Sequence, residues 1–374
     1  MKKALFAVLT ALCLMLVSTA AMADDYVASV NGTDYTDLQA AINEAATNGK
    51  VVTLLKNVNY NVPDSNGPKA VMLDNGVKLD LNKFELTVNG TWQAGIQMRG
   101  NSSIVNGIVK HDGNVAAIKV WSADEIKDLT INVTPTDGKT KGGIVLQKGS
   151  TTHVNTIKNV TITGVTNGIE TYECGDSSVD VIDTIDNVNI TASGTGMILS
   201  APIGTVKNST ITGGSVGVNM YRKGNYSVTA DFENCEITGK DAAIWAHDEV
   251  FDHPTYNNNG DFELNIDDKT KLTATSGAAP VQEEIAGQGE TAIEIEEPKE
   301  GLCRYTDANG KMHVFMKHTI EYDKYNRPYK CTVCGKHFQS AYMPETGDAS
   351  SLFVWLGVLA ISCAALTAKR KAYN

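Results

Sequence analysis

The chain has few aromatic residues, few cysteines and little positive charge. Aromatic side chains make up 7% of the 374 residues, and 7 residues are cysteine. That number is too small for a disulfide scaffold in a chain of this length. A formal net charge of −11 argues against nucleic acid as a partner, because phosphate binding needs a basic face. Hydrophobic residues reach 42%, enough for a buried core, and 33 glycines against 9 prolines suit many short strands and turns.

Residues 1–23 have the pattern of a secretory signal peptide. Lys2 and Lys3 precede an apolar run over residues 4–17, and Ala21-Met22-Ala23 forms a small-x-small cleavage site. The run is shorter than the ~20 residues of a membrane span. The sequence therefore predicts an exported protein with an extracellular location.

Residues 343–374 combine a short motif, an apolar segment over 352–368 and a basic end. The motif reads Met343, Pro344, Glu345, Thr346, Gly347, and the basic end is Lys369, Arg370, Lys371. A basic cluster of this kind stays cytoplasmic and holds a transmembrane helix in the bilayer. The whole resembles the cell-wall sorting signal of Gram-positive surface proteins, Leu-Pro-x-Thr-Gly with a hydrophobic and a basic tail. Met343 in place of Leu bears on which sortase acts.

That resemblance implies a membrane-inserted precursor that a sortase cleaves between Thr346 and Gly347. The Thr346 carboxyl would then be joined by an amide bond to peptidoglycan at the cell surface. The alternative is an ordinary single-span tail anchor, which the hydrophobic segment alone would also explain.

Pairs of a small and an apolar residue recur through the chain. The steps between their apolar members are 25, 22, 26, 25, 28, 21 and 26 residues. The pairs are Ala70-Val71, Gly95-Ile96, Ala117-Ile118, Gly143-Ile144, Gly168-Ile169, Gly196-Met197, Gly217-Val218 and Ala243-Ile244. A period in the twenties is typical of a solenoid, and the alternation of apolar and polar residues indicates strands. An Asn precedes many of these pairs, at 159, 187, 208 and 234, and these residues are predicted to stack in one turn.

These features predict an all-β fold over residues 24–280, a parallel β-helix whose open end is covered by an N-terminal helix. Thr36 to Gln39 has the form of a capping box, and the helix face carries Leu38, Ala41, Ile42 and Ala45. This helix-then-strand entry resembles the right-handed β-helices of the pectate-lyase-like superfamily over roughly residues 30–275. The resemblance lies in architecture and not in catalytic motifs. Cys235 is expected to be a buried thiol, since it aligns with Val160 and Val188.

The register of the repeat predicts two outward columns on one face of the solenoid. The candidate glycan-binding residues in these columns are Arg99, Trp121, Tyr172, Tyr221, Trp245 and His247. Exposed aromatic rings on a rigid surface stack on sugars, and polar neighbours take the hydroxyls. The alternative is that the rings cover a corner of the coil under long loops. The equivalent columns after the Asn signature carry mostly Thr and Asn.

An enzyme acting on acidic polysaccharide, a lyase or a hydrolase, is the second interpretation. Pectate-lyase-like enzymes combine an Arg base with calcium at a uronate, yet their motifs are absent from the sequence, which leans the prediction away from catalysis. Arg222 and Lys223 are placed to contact an acidic polymer. One acidic loop suggests a site for calcium or another divalent ion in the β-helix, although such a loop is more often simply solvated. The loop contains His247, Asp248, Glu249, Asp252 and His253.

The C-terminal part divides into an acidic linker over 281–301 and a small module over 302–342. The linker carries seven Glu and one Lys between 282 and 300, which is typical of an extended, solvated segment. The module is too small to bury a sufficient hydrophobic core of its own. It contains a metal-binding knuckle, Cys331-Thr-Val-Cys334-Gly335. A structural zinc-ribbon-like site is predicted at Cys303, His318, Cys331 and Cys334, with His313 or His337 as substitutes for His318. The alternatives are a Cys331–Cys334 disulfide, which is possible outside the cell, and unpaired thiols.

The sequence as a whole predicts a monomeric, cell-wall-anchored surface protein. Its expected function is adhesion or binding of an extracellular glycan by the β-helix. The acidic linker and the zinc module would serve as stalk and spacer. A purely structural surface protein is the third interpretation.

Overall fold

The computed structural model describes residues 25–48, 51–61, 70–89, 94–112, 115–134, 142–147, 149, 151–171, 180–248, 260–285 and 291–295, and the backbone alone of 303–306, 312–315, 320–322 and 328–331. One helix, α1 (Leu38–Asn48), lies near the start. The strands in chain order are β1 (Ala28–Val30), β2 (Thr33–Tyr35), β3 (Val51–Leu54), β4 (Val58–Asn61), β5 (Val71–Leu73), β6 (Lys78–Asp80), β7 (Glu85–Asn89), β8 (Ala94–Met98), β9 (Ser102–His111), β10 (Ala116–Val120), β11 (Ser122–Val133), β12 (Gly142–Leu146), β13 (His153–Thr171), β14 (Ile182–Leu199), β15 (Thr205–Lys207), β16 (Thr210–Gly213), β17 (Val216–Arg222), β18 (Val228–Glu233), β19 (Glu236–Gly239), β20 (Ala242–Asp248), β21 (Phe262–Ile266), β22 (Lys271–Ala274), β23 (Val281–Glu284), β24 (Thr291–Ile295), β25 (Cys303–Thr306), β26 (Met312–Phe315), β27 (Ile320–Tyr322) and β28 (Pro328–Cys331).

The strands from β3 to β24 form an all-β solenoid with three parallel ladders. Ladder A contains β5, β8, β10, β12, the ends of β13 and β14, β17, β20 and β23. Ladder B contains β3, β6, the starts of β9, β11, β13 and β14, and then β15, β18, β21 and β24. Ladder C contains β4, β7, the later parts of β9 and β11, the middles of β13 and β14, β16, β19 and β22. Each coil therefore passes through ladders B, C and A in turn.

The predicted asparagine stack lies at the corner between ladders B and C. Asn159, Asn187, Asn208 and Asn234 all have a positive φ of 52–54°, a conformation that Asn tolerates better than most residues. Asn187 donates its side-chain amide to Asn159 at 2.8 Å, and Asn234 donates to Asn208 at 2.9 Å. The stack is interrupted once, because Asn208 donates to Asp186. The corner is thus held by side-chain bonds that run from coil to coil.

The small member of each repeated pair is explained by close approach of the next coil. A Cβ added at Gly196 would lie 2.5 Å from the carbonyl oxygen of Gly217 and 2.5 Å from Cγ2 of Ile211. Gly168 is equally crowded, by Gly196 and Ile190. The apolar members all point inward and are fully buried, as the repeat predicts. Cys235 is also buried, and this burial raises the pKa of its thiol to about 11.

The N-terminal end is closed by two different devices. Strand β1 pairs antiparallel with β3 and covers the first edge of ladder B. Helix α1 buries the predicted face, and its Gln39 accepts the backbone N–H of Met72 and donates to the carbonyl of the same residue. This side chain therefore occupies the main-chain pairing positions of a missing strand before β5. The capping box is wrong in detail, because Asp37 caps the helix by accepting the N–H of Ala40 at 2.7 Å.

The solenoid extends beyond residue 280, into the segment assigned to an acidic linker. Strand β23 pairs with β20, and β24 pairs with β21, both parallel and in register. The alternation in β24 is hidden in the sequence because Glu fills an outward position beside Ile295. Two antiparallel hairpins follow, β25 with β26 in the first compact unit and β27 with β28 in the second, which begins at His318.

Both predicted targeting segments lie outside the described residues. These are the signal peptide at 1–23 and the sorting signal at 343–374, including the apolar segment 352–368. In the described part of the chain, no helix has the length and apolar character needed to cross a membrane.

Gly196→Ala should destabilise the solenoid by about 1–3 kcal/mol, because the added methyl group meets backbone that has no room to move. The matched control is Gly149→Ala, where the nearest atom to the new methyl group is Thr152 Oγ1 at 3.4 Å. Thermal unfolding of both variants measures the difference. Equal midpoints would contradict the crowding argument.

Candidate functional site

The predicted outward columns lie on the outer face of ladder A. Strand pairing aligns Gln97 with Lys119, Asn219 with Trp245, and Tyr221 with His247. The backbone N–H of Trp121 bonds to the Met98 carbonyl, which carries the same register past the end of β10. Five of the six candidate residues therefore face the same side of one ladder; they are Arg99, Trp121, Tyr221, Trp245 and His247. The sixth, Tyr172, lies outside the described residues.

Two basic side chains surround Trp121, and we call Arg99, Lys119 and Trp121 the tryptophan–arginine cluster. The guanidinium carbon of Arg99 lies 4.4 Å from the centroid of the indole, and the ammonium of Lys119 lies 5.5 Å from it. Both distances fall within the range of cation–π attraction. Arg99 is exposed, whereas Lys119 is half-buried, and this burial lowers the pKa of the Lys119 ammonium.

Three further rings pack on one another and form what we call the histidine stack, Tyr221, Trp245 and His247. The centroids of Trp245 and His247 lie 3.9 Å apart at an interplanar angle of 18°, and those of Tyr221 and His247 lie 5.8 Å apart. His247 Nε2 is 2.9 Å from Asn219 Oδ1, and its Nδ1 is 3.0 Å from the Asp248 carbonyl. The rings thus cover part of each other's faces.

The two clusters occupy separate ends of the described face. Five strand steps separate Trp121 at the end of β10 from Trp245 on β20, which corresponds to roughly 24 Å at the usual ~4.8 Å spacing. The columns between them carry Val145, Gln147, Glu170, Ile198 and Ser200. The sequence predicted one row of candidates; the described members of that row form two clusters, and Tyr172, whose place in the row is between them, lies outside the described residues.

Glu170 is the carboxyl group at the centre of this face and was not singled out from the sequence. It is only 8% exposed, and burial raises the pKa of its carboxyl group, although a hydrogen bond from Asn167 partly counteracts the shift. Its carboxylate lies over Gly142, where an added Cβ would come within 3.2 Å of Glu170 Oε1. The signal in the sequence was present, because Glu170 falls in the outward column.

Arg222 does not contact solvent, so its predicted role toward an acidic polymer is wrong. The residue is 0% exposed and forms a two-point ion pair with Asp248, from Nε at 2.7 Å and from Nη2 at 3.2 Å. It also donates to the carbonyl of Gly260. The reason is strand parity, since Arg222 lies four residues after the inward Val218 and therefore points inward itself.

The predicted metal sites have different outcomes. In the acidic loop, Asp248 is held by Arg222 and His247 lies in the stack, while Glu249, Asp252 and His253 lie outside the described residues. Within the part of the chain that the structure describes, no group of three or more His, Cys, Asp or Glu side chains is arranged to hold a metal ion. Of the predicted zinc ligands, Cys303 lies on β25 and Cys331 on β28, whereas His318 and Cys334 lie outside the described residues. Zinc at this module stays a prediction.

The other outer faces differ in chemistry from ladder A. One outward column of ladder C consists of threonines, in agreement with the Thr- and Asn-rich columns predicted after the Asn signature. These are Thr163, Thr191, Thr212, Thr238 and Thr273. Ladder B has a cleft of about 340 Å³ near the C-terminal coils, with carboxylates as its main polar lining. These are Asp231, Glu233, Glu263, Asp267 and Glu294. Ladder A is therefore the face that combines aromatic rings with cations.

Comparison of the chain with protein families, with curated protein sequences and with solved structures gives no match. The function must accordingly be argued from the chemistry of the faces themselves.

Replacing Glu170 by Gln should raise the thermal midpoint at pH 7, because the neutral amide keeps the shape but avoids burying a charge. Since the folded pKa of Glu170 is raised above its usual value, the wild-type protein loses stability as pH rises through that folded pKa. The gain from Glu170→Gln should thus shrink as pH falls toward 4.5. Thermal unfolding between pH 4 and 8 tests this, and a gain that is independent of pH would contradict it.

Proposed function

We propose that the protein is an exported, cell-wall-anchored surface protein that binds an extended glycan along the outer face of ladder A. The observation that carries the proposal is the alignment of Arg99, Trp121, Tyr221, Trp245 and His247 on that one face. Aromatic rings supply stacking surfaces for sugars, and the side chains of Asn219 and Gln147 supply polar groups beside them.

The separation of the two clusters favours a polymer over a single sugar. A ligand that touches both clusters must reach roughly 24 Å along the solenoid axis. Contacts at two places on one rigid face act at high effective concentration, so that two weak contacts give useful binding. The backbone of ladder A is fixed by pairing on both sides, which lowers the entropic cost of ordering the site.

Carboxylate spacing supports binding rather than hydrolysis. The described carboxylates in the outward columns are Asp74, Glu170 and Glu284, and successive members lie four strand steps apart. Four steps amount to roughly 19 Å. Glycosidases that use a carboxylate pair hold the two groups about 5–9.5 Å apart.

The proposal keeps the export signal, the anchor and the zinc module as inferred from the sequence. The signal peptide would direct export, and a sortase would join Thr346 to peptidoglycan after cleaving at Gly347. Cys303, His318, Cys331 and Cys334 would hold a structural zinc ion. We also expect a monomer and a right-handed parallel β-helix of pectate-lyase-like form, because parallel crossover connections are right-handed in nearly all proteins.

The glycan test uses the full-length chain in mild detergent, screened on a glycan array and followed by measurement of Kd for the best neutral oligosaccharide. Trp245→Ala should weaken binding about tenfold, since it removes a ring from the histidine stack. Trp245→Phe should retain most of the affinity because it keeps an aromatic ring. Thr212→Ala, on the outer face of ladder C, should leave Kd unchanged.

Two results would count against the glycan proposal. One is the absence of binding to any glycan by a correctly folded chain. The other is an equal loss of affinity in Trp245→Ala and Thr212→Ala. Release of shorter or unsaturated products during incubation would instead favour the enzyme interpretation.

The zinc prediction is tested by metal analysis of the full-length chain after removal of loosely bound ions. About one zinc ion per chain is expected, and replacement of Cys331 and Cys334 by Ser should abolish it, because thiolates are the strongest ligands in the set. Less than about 0.3 zinc per chain would remove the claim. A mass decrease of two hydrogens that is reversed by reductant would indicate the disulfide alternative.

A further inference from the structure

The two cations of the tryptophan–arginine cluster pack on an aromatic ring, whereas several other basic side chains of the solenoid pair with carboxylates. Lys110 on ladder C pairs with Glu85 at 2.7 Å, and Lys158 on ladder B pairs with Asp186 at 2.9 Å. Within the described residues, Arg99 and Lys119 form no ion pair with a carboxylate. Their nearest counterpart in the columns is Asp74, which precedes Arg99 by one coil and lies beyond ion-pair distance.

The indole of Trp121 holds the two cations in place without neutralising them. A guanidinium stacked on an aromatic face keeps its N–H edges free to donate hydrogen bonds. Such a planar edge matches two oxygen atoms of a carboxylate, sulfate or phosphate group. Lys119 adds a second positive charge on the same ring, and its half-buried position means that an arriving anion would meet a partly desolvated ammonium.

The charge of the rest of the molecule makes this location selective. With a formal net charge of −11, the chain repels anionic ligands over most of its surface. Two cations on one aromatic ring, neither of them paired with a carboxylate in the described part of the chain, give such a ligand a favourable position on ladder A. A neutral sugar can stack on the ring but gains no charge–charge attraction from the two cations.

We propose that Arg99 and Lys119, clamped on Trp121, form an oxyanion-binding site for a negatively charged substituent of the polymer that ladder A binds. The ligand chemistry is a carboxylate, sulfate or phosphate oxyanion, taken by the guanidinium edge and the ammonium without a metal ion. This inference rests on the proposed function for the polymer, whereas the oxyanion site itself can be tested without any glycan.

The first test follows tryptophan fluorescence of the full-length chain during titration with sodium sulfate and with sodium phosphate, at ionic strength held constant with sodium chloride. A saturable change is expected, and it should disappear in Trp121→Phe, which identifies the indole that reports binding. Arg99→Gln should weaken the apparent affinity at least fivefold. Lys271→Gln, which removes an equal charge from an exposed position on ladder C, should leave it unchanged.

One variant is expected to strengthen anion binding, so that the test does not depend only on losses of affinity that misfolding could also cause. Asp74→Asn removes the one negative charge next to Arg99 in its column and should strengthen anion binding about twofold or more. Arg99→Lys keeps the charge but loses the planar edge, so its affinity should fall between wild type and Arg99→Gln. Absence of saturation in wild type, or equal effects of Arg99→Gln and Lys271→Gln, would overturn the site.

The second test separates the sources of the oxyanion and the two proposals. Kd values are measured for dextran, dextran sulfate and polygalacturonate with wild type, Arg99→Gln and Trp245→Ala. The oxyanion site requires that Arg99→Gln weaken only the charged polymers, with the more affected polymer showing which oxyanion fits. Saturable sulfate binding without binding of any polymer would remove the proposed function and keep the site. Polymer binding that Trp245→Ala weakens but Arg99→Gln leaves intact would overturn the site and keep the function.

Discussion

The close parallel pairing of one coil with the next is the constraint on which the rest of this structure depends. Each strand inside a ladder bonds through its backbone to the coils on both sides, at a spacing of about 4.8 Å. The pairing leaves room for at most a methyl group where the chain enters ladder A, and at Gly168 and Gly196 the next carbonyl lies too close even for that. The requirement for small residues at this entry point produces the repeat that is visible in the sequence. It also fixes the direction of every residue that follows within the strand.

Because the strand register is fixed, outward side chains of successive coils form straight columns on the surface of the solenoid. The chemical character of a column depends only on which residues occupy its positions. The Thr column of ladder C and the mixed column of ladder A have the same geometry and differ only in side chains. A column that is not needed for recognition can be filled with small polar residues. On ladder A the column positions instead carry rings and cations, which need rigid support to stay in contact with one another. The scaffold thus supplies position, and individual residues supply function.

The sequence predicts the structure well where a pattern recurs in every coil, and poorly where a feature occurs in one place only. The repeated pairs predicted the register of ladder A, including the pairing of Tyr221 with His247. Packing of the rings on one another could not be read from spacing, since it depends on rotamers and not on register. Arg222 was misassigned although the parity rule already placed it inward, because a charged residue is rarely expected in an interior. The strands β23 and β24 were missed because Glu-rich composition outweighed a short alternating pattern.

The buried pair of Arg222 and Asp248 connects the interior to the outer face of ladder A. Removing either partner would leave an unpaired charge inside the coil, so the pair must be retained as a unit. Asp248 also presents its backbone carbonyl to His247 Nδ1, and His247 in turn touches both other rings of the stack. The histidine stack is therefore supported from the interior by a buried ion pair. In the tryptophan–arginine cluster, Trp121 is instead contacted on the outer face by two cations. The two clusters thus differ in what fixes them, which is a buried ion pair beneath the histidine stack and cation–π contacts in the tryptophan–arginine cluster.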